Sequence, residues 1–270
     1  MNGVSRQVGA VASITLGVFI LWRGDFAVPW EYVPAQPPLR GLLAYLTGAI
    51  LVAAGAALFW RRAAGPAALV LAAIAAVFSL LWVQKAAAAP AVYDPWSNVA
   101  EESSIVAGFL ALFACLAPQK TDNMARLARA ARIWFGACSL SFGVVHFTAF
   151  KASLGIVPPG IPFGASFWVA ATGVAHLAAG IAILSGVWAL LAARMAALMY
   201  VGFCVIGWGR GVLALGALTP SLAHFILGGL FISFALAAAV WMVGDAIAAY
   251  PPIDGQLFTR PGRTDRAASR

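Results

Sequence analysis

Eight apolar runs decide what this chain can become: residues 7–22, 41–60, 64–84, 99–117, 133–150, 165–185, 192–213 and 221–243. Each comes close to the roughly 20 residues that a helix needs to cross a hydrocarbon layer. With 63% hydrophobic and 10% charged residues, too little polar surface remains to cover a soluble globule of 270 residues. The expectation is an all-α membrane protein with eight transmembrane helices and the lipid bilayer as its constant partner. The first run follows Arg6 as a signal peptide would, but it ends Leu21-Trp22-Arg23 without a small-residue cleavage site and so reads as an uncleaved helix.

The runs fall into two matching sets of four. Residues 157–180 read VPPGIPFGASFWVAATGVAHLAAG, and residues 33–55 read VPAQPPLRGLLAYLTGAILVAAG. Pro37 and Pro162, Thr47 and Thr172, Gly48 and Gly173, and Gly55 and Gly180 are each 125 positions apart (162 − 37, 172 − 47, 173 − 48, 180 − 55). A unit of four spans returns to its starting side, so both copies insert in the same sense. This predicts two parallel-repeat four-helix bundles, residues 1–117 and 133–248, joined by a basic cytoplasmic linker at 118–132. A disordered basic cytoplasmic tail is expected over 249–270. Arg126, Arg129 and Arg132 in the linker suit either a short interfacial helix or a solvated loop.

Charge sets the orientation. The side carrying the N-terminus holds 12 of the 17 basic residues, including Arg61, Arg62, Lys120 and Arg194, while the other holds Arg23, Arg40, Lys85, Lys151 and Arg210. By the positive-inside rule both termini are cytoplasmic, in a bacterial-type inner (plasma) membrane. Basic residues confined to short loops are topology signals, so the net charge of +8 implies no nucleic-acid partner. Cys115, Cys138 and Cys204 form no CxxC pair and no metal-ligand spacing, and haem-attachment, flavin and iron-sulfur motifs are all missing.

Ionisable groups inside the runs are the candidate site residues. His176 lies 11 residues beyond Ala165 (176 − 165), about 16 Å deep, where an imidazole is costly unless it faces the bundle interior. Leu51 holds the matching place in the first half (176 − 125 = 51), which predicts a chemically specialised second half beside a scaffold. His146, His224, Lys151 and Arg210 lie near the outer span ends and suit either an outward-facing polar pocket in the second half or interfacial roles as snorkelling and bridging groups; His176, Trp168 and Thr172 are the further ligand-binding candidates. The Thr172-Gly173 pair suits close helix packing, with a bond from the Thr172 hydroxyl across the contact as the alternative reading. Asn98 to Glu101 has the spacing of a capping box, which makes Glu101 structural. Glu102 is the proton-handling candidate, with Arg23 or Arg40 as its expected partner.

Val157-Pro158-Pro159, Pro162, Trp168, Thr172-Gly173 and Gly180, with His146-Phe147 on the preceding span, resemble the DoxX-like membrane proteins. The likeness covers roughly 133–243 and, more weakly, 15–117. It implies a four-helix membrane unit and, by analogy with some members, quinone-linked redox complexes. Where relatives carry an acid after Thr-Gly, this chain has His176 and Leu51. The leading expectation is a binding or assembly subunit for a lipid, a small apolar ligand or a membrane partner. The alternatives are a quinone-binding subunit of a membrane oxidoreductase, served by a membrane redox partner, and a small-solute transporter.

Overall fold

A computed structural model describes residues 3–34 and 38–251. Pro37 and the tail beyond Pro251 lie outside the described residues. Among the described residues, eight helices are long and apolar enough to cross a membrane, one for each apolar run, and the pattern is that of a multi-pass membrane protein. They are α1 (Val4–Arg23), α2 (Arg40–Ala57), α3 (Ala64–Ala88), α4 (Asp94–Leu116), α5 (Asp122–Thr148), α7 (Gly164–Ser185), the seventh span Ala189–Leu213 and α10 (Pro220–Ala249). A short α6 (Phe150–Leu154) follows α5. The seventh span is irregular: α8 (Ala189–Gly202) passes through a π-helical stretch, Phe203–Trp208, into α9 (Gly209–Leu213).

Burial ranks the helices. Within their most apolar windows α4 is 61% and α10 67% buried, against 28% for α2 and for the seventh span. α4 and α10 are therefore the central pair and cross at Gly108, where an added Cβ would lie 2.5 Å from the Ala239 backbone. Around them α1 pairs with α2, α3 with α4, α5 with α7 and α8 with α10, while α1 also packs on α10 and α5 on α4. Large apolar side chains remain exposed on the outer helices, among them Leu80, Val174, Leu198 and Trp22, as lipid-facing positions do.

Glycine sets the closest approaches. A Cβ on Gly17 would lie 2.7 Å from the Gly48 carbonyl oxygen, and one on Gly143 would lie 3.0 Å from that of Gly173. About two turns further along, a Cβ on Gly55 would lie 3.0 Å from the Ala10 carbonyl oxygen and one on Gly180 would lie 2.9 Å from that of Gly136. The α1–α2 and α5–α7 contacts are thus built alike. Leu39 and Phe163, each following a proline and directly preceding one of these helices, both adopt a left-handed backbone (φ 63° and 67°).

Three expectations about local structure are corrected. The linker is helical and continuous with α5, because Thr121 caps a helix starting at Asp122 by accepting from the Met124 amide at 3.3 Å. Arg126, Arg129 and Arg132 therefore ride on α5, on neither a separate helix nor a loop. α4 begins at Asp94 with Pro95 in its first turn, so Asn98 lies inside the helix and caps nothing; its amide donates to the Asp94 carbonyl.

Contacts at both ends tie the halves together. At the end carrying the termini, Asp245 accepts from Ser5 and Arg194, Arg194 also lies over the Trp241 ring, and Tyr250 donates to the Ala114 carbonyl at 3.1 Å. At the opposite end, the connection between α1 and α2 folds inward, burying Phe26, Ala27 and Glu31. Its Trp30 donates to the Phe225 carbonyl at 3.1 Å and meets Trp208 edge-on. Consecutive glycines on α10 seat the two rings, Gly228 under Trp30 and Gly229 under Trp208.

Candidate functional site

His176, as expected, is buried (2% exposed). α7 holds it against α5, where Ser139 donates to its carbonyl at 2.9 Å, and its ring is surrounded by Phe142, His146, Tyr200 and Phe203 at centroid distances of 5.4, 5.3, 5.5 and 6.3 Å. His146 joins it from α5, with Nδ1 2.7 Å from the Phe142 carbonyl, so that nitrogen carries the proton. The His176 Nδ1 and the Tyr200 hydroxyl oxygen are both buried without a hydrogen-bond partner. An unpaired polar group in such a place costs about 1–3 kcal/mol, and here two of them lie on neighbouring rings inside an aromatic cage.

The other candidates do not converge on this cage. His224 bridges the halves instead: its Nε2 meets the Phe26 carbonyl at 2.9 Å and Arg23 donates to its Nδ1 at 3.2 Å. Arg210 is exposed and donates to the Pro159 carbonyl, pinning the proline-rich turn, while Lys151 is exposed on α6. Trp168 donates to the Pro162 carbonyl at 2.8 Å, closing the same turn. Thr172, against the alternative reading of an interhelical bond, donates at 2.7 Å to the Trp168 carbonyl of its own helix. His224, Arg210 and Trp168 thus stabilise connections, which is what polar side chains at the margin of an apolar bundle do when a backbone carbonyl is within reach.

A second polar interior lies in the first half, which overturns the expectation of an inert scaffold there. Glu102 on α4 and Glu31 on the inward-folded connection are 2% and 1% exposed and line one cavity, walled by α1, α3 and α10 and by Leu51. The cavity has room for water. Glu31 accepts from the Ala27 amide at 2.8 Å, whereas Oε1 of Glu102 has no partner. Neither expected cation reaches Glu102, since Arg40 pairs with Asp25 at 2.7 Å and Arg23 is held by His224. Burial pushes the Glu31 carboxyl up to about 7, against the pull of the Ala27 amide and with a smaller push from Asp25.

Glu101 and Glu102 differ in their surroundings. Successive residues on a helix point about 100° apart, and Glu102 is buried against the cavity it shares with Glu31 while Glu101 is half-buried. With α4 starting at Asp94, Glu101 lies in the body of the helix and is no capping residue. No group of three or more His, Cys, Asp or Glu among the described residues is placed to hold a metal ion.

Tyr200 and Glu31 are the site residues that sequence reasoning missed. Tyr200 lies 11 residues beyond Ala189 (200 − 189), as deep as His176 and too deep for the interfacial belt. Glu31 sits in FAVPWEYV, an acid flanked by apolar residues within a connection, and that flanking was the available signal. No family model, curated protein or solved structure matches the chain.

Proposed function

We propose that this chain is an integral inner-membrane protein of the DoxX-like kind, built as two four-helix quartets inserted in the same sense, which binds a small ligand with an apolar body and one hydrogen-bonding group. The matched α1–α2 and α5–α7 glycine contacts support the repeat. The concentration of basic residues at the end that joins Ser5 to Asp245 supports cytoplasmic termini.

The observation that carries the ligand reading is the pair of unpartnered polar atoms, the His176 Nδ1 and the Tyr200 hydroxyl, on rings 5.5 Å apart. A carbonyl oxygen entering between α7 and α8 would accept from Tyr200, and His176 would donate or accept according to its tautomer. Aromatic walls suit the apolar remainder of a lipid or a quinone. A quinone-linked redox role is the second reading, favoured by His146 beside His176 as a second imidazole able to pass a proton. Electrons would then come from a membrane partner, since this chain has no redox motif of its own.

Native mass spectrometry of the gently extracted protein tests both readings. A retained lipid or quinone that is lost in Tyr200→Phe and His176→Phe supports the binding reading, and its mass separates the two ligand classes. Retention that neither substitution alters counts against the cage as the site.

A further inference from the structure

The Glu31–Glu102 cavity lies in the other half of the molecule from the ligand cage, and the binding reading makes no use of it. Three observations converge there. Two carboxyls nine-tenths or more buried share one water-sized space. One of them, Glu102, directs an unpartnered oxygen into it. Among the described residues the nearby cations are engaged elsewhere: Arg40 is taken by Asp25, Arg23 by His224, and Lys85 lies over the Tyr32 and Trp82 rings at 4.7 and 4.6 Å.

The remaining groups around the cavity supply no positive charge. α1 contributes Ser13, whose hydroxyl donates to its own helix at 2.9 Å; α3 and α10 contribute apolar side chains to the wall; Glu101, next to Glu102 on α4, adds a further acid, and Asp94 lies two turns nearer the helix start. Two like charges in one buried, mainly apolar space disfavour each other's ionised form, so the pair without a counter-ion retains a proton. A proton is the smallest cation that removes the conflict, and the cavity has room for the water that would carry it between the carboxyls.

We propose that the cavity between Glu31 and Glu102 is a proton-binding site, loaded from the end of the bundle opposite the termini, at which the two carboxyls hold at least one proton that exchanges with water. Glu31 sits on the connection at that end, and Glu102 lies eight residues into α4 (102 − 94), about 12 Å down the helix. A proton from water therefore meets Glu31 first and passes to Glu102 through the cavity. Loading converts one carboxylate to a carboxylic acid and unloading returns the proton to the same water, with no other reactant. The position of Glu31 near 7 keeps the exchange within the physiological range.

Infrared difference spectroscopy on the full-length protein in phosphatidylcholine bilayers tests this. The expected result is a carboxylic C=O band that shifts in D₂O, loses intensity as pH is raised through about 7, and is weakened in both Glu102→Gln and Glu31→Gln. Because the wild-type titration stands by itself, the test survives a variant that fails to fold. A band unaffected by pH or deuterium would mark permanently protonated structural acids and overturn the proposal. Thermal stabilisation by Na⁺ over choline at fixed pH, lost in Glu102→Gln, would overturn it in favour of a metal-cation site.

Discussion

Leu51 and His176 stand three residues beyond Gly48 and Gly173, the two glycines at which α2 meets α1 and α7 meets α5, and both side chains are buried. Equivalent backbone positions thus face two interiors of different chemistry. In the first, Leu51 is part of the apolar wall around Glu31 and Glu102; in the second, His176 is itself the polar group. Exchanging the two residue types asks what each interior requires.

His176→Leu gives the second half the residue of the first. Removing a buried nitrogen without a partner is expected to raise the melting temperature of the ligand-free protein, by about 1 kcal/mol of stability, while abolishing ligand retention. Tyr200→Phe should behave alike. Melting in detergent alongside mass spectrometry checks both, and a stability loss in each variant would show that these atoms are already paired.

Helix approach at glycine predicts a graded series. Gly108→Ala places a methyl 2.5 Å from the Ala239 backbone in the central crossing, and Gly17→Ala places one 2.7 Å from the Gly48 carbonyl. Each is expected to cost about 1–3 kcal/mol, read as a fall in melting temperature. Gly202→Ala, with nothing within 4 Å of the new methyl, should be neutral or stabilising by up to about 1 kcal/mol.

Stability should fall as pH rises across the window set by Glu31. Its carboxyl is raised from 4.5 to about 7 in the folded protein, so between those values the native state binds more protons than the unfolded chain. The contribution is full below 4.5, is lost through about 7, and amounts to about 3 kcal/mol. Glu31→Gln should flatten the curve over that interval, as followed by thermal melts in a pH series.

Asp245→Asn should loosen the end that carries the termini. Asp245 holds Arg194 and Ser5 together, and the two ion-pair side chains are 15% and 26% exposed. Residual access to water reduces the cost below that of a fully buried pair, to about 2 kcal/mol. Hydrogen exchange should accelerate in the first turns of α1 more than at Arg40 on the far side.

Helix number and order were legible because apolar runs report burial or lipid contact directly. Helix starts were less so, since polar turns continue both helices beyond the apolar runs: α4 starts at Asp94 with Pro95 in its first turn, and α5 starts at Asp122 behind the Thr121 cap. His176 stood out by its depth, and Glu102 by its charge. Neither the bridging role of His224 nor the bond from Arg210 to Pro159 could be read from spacing, because each depends on how a connection docks against a distant helix. The Glu31 side chain was hidden for the same reason: Trp30, anchored on Phe225, draws its connection inward.

Glu102 lines its cavity from the central helix α4, and the same helix also packs on α5, which carries His146. One rod thus forms a wall of the acid chamber and the support of the aromatic cage, so a substitution that displaces it is felt in both.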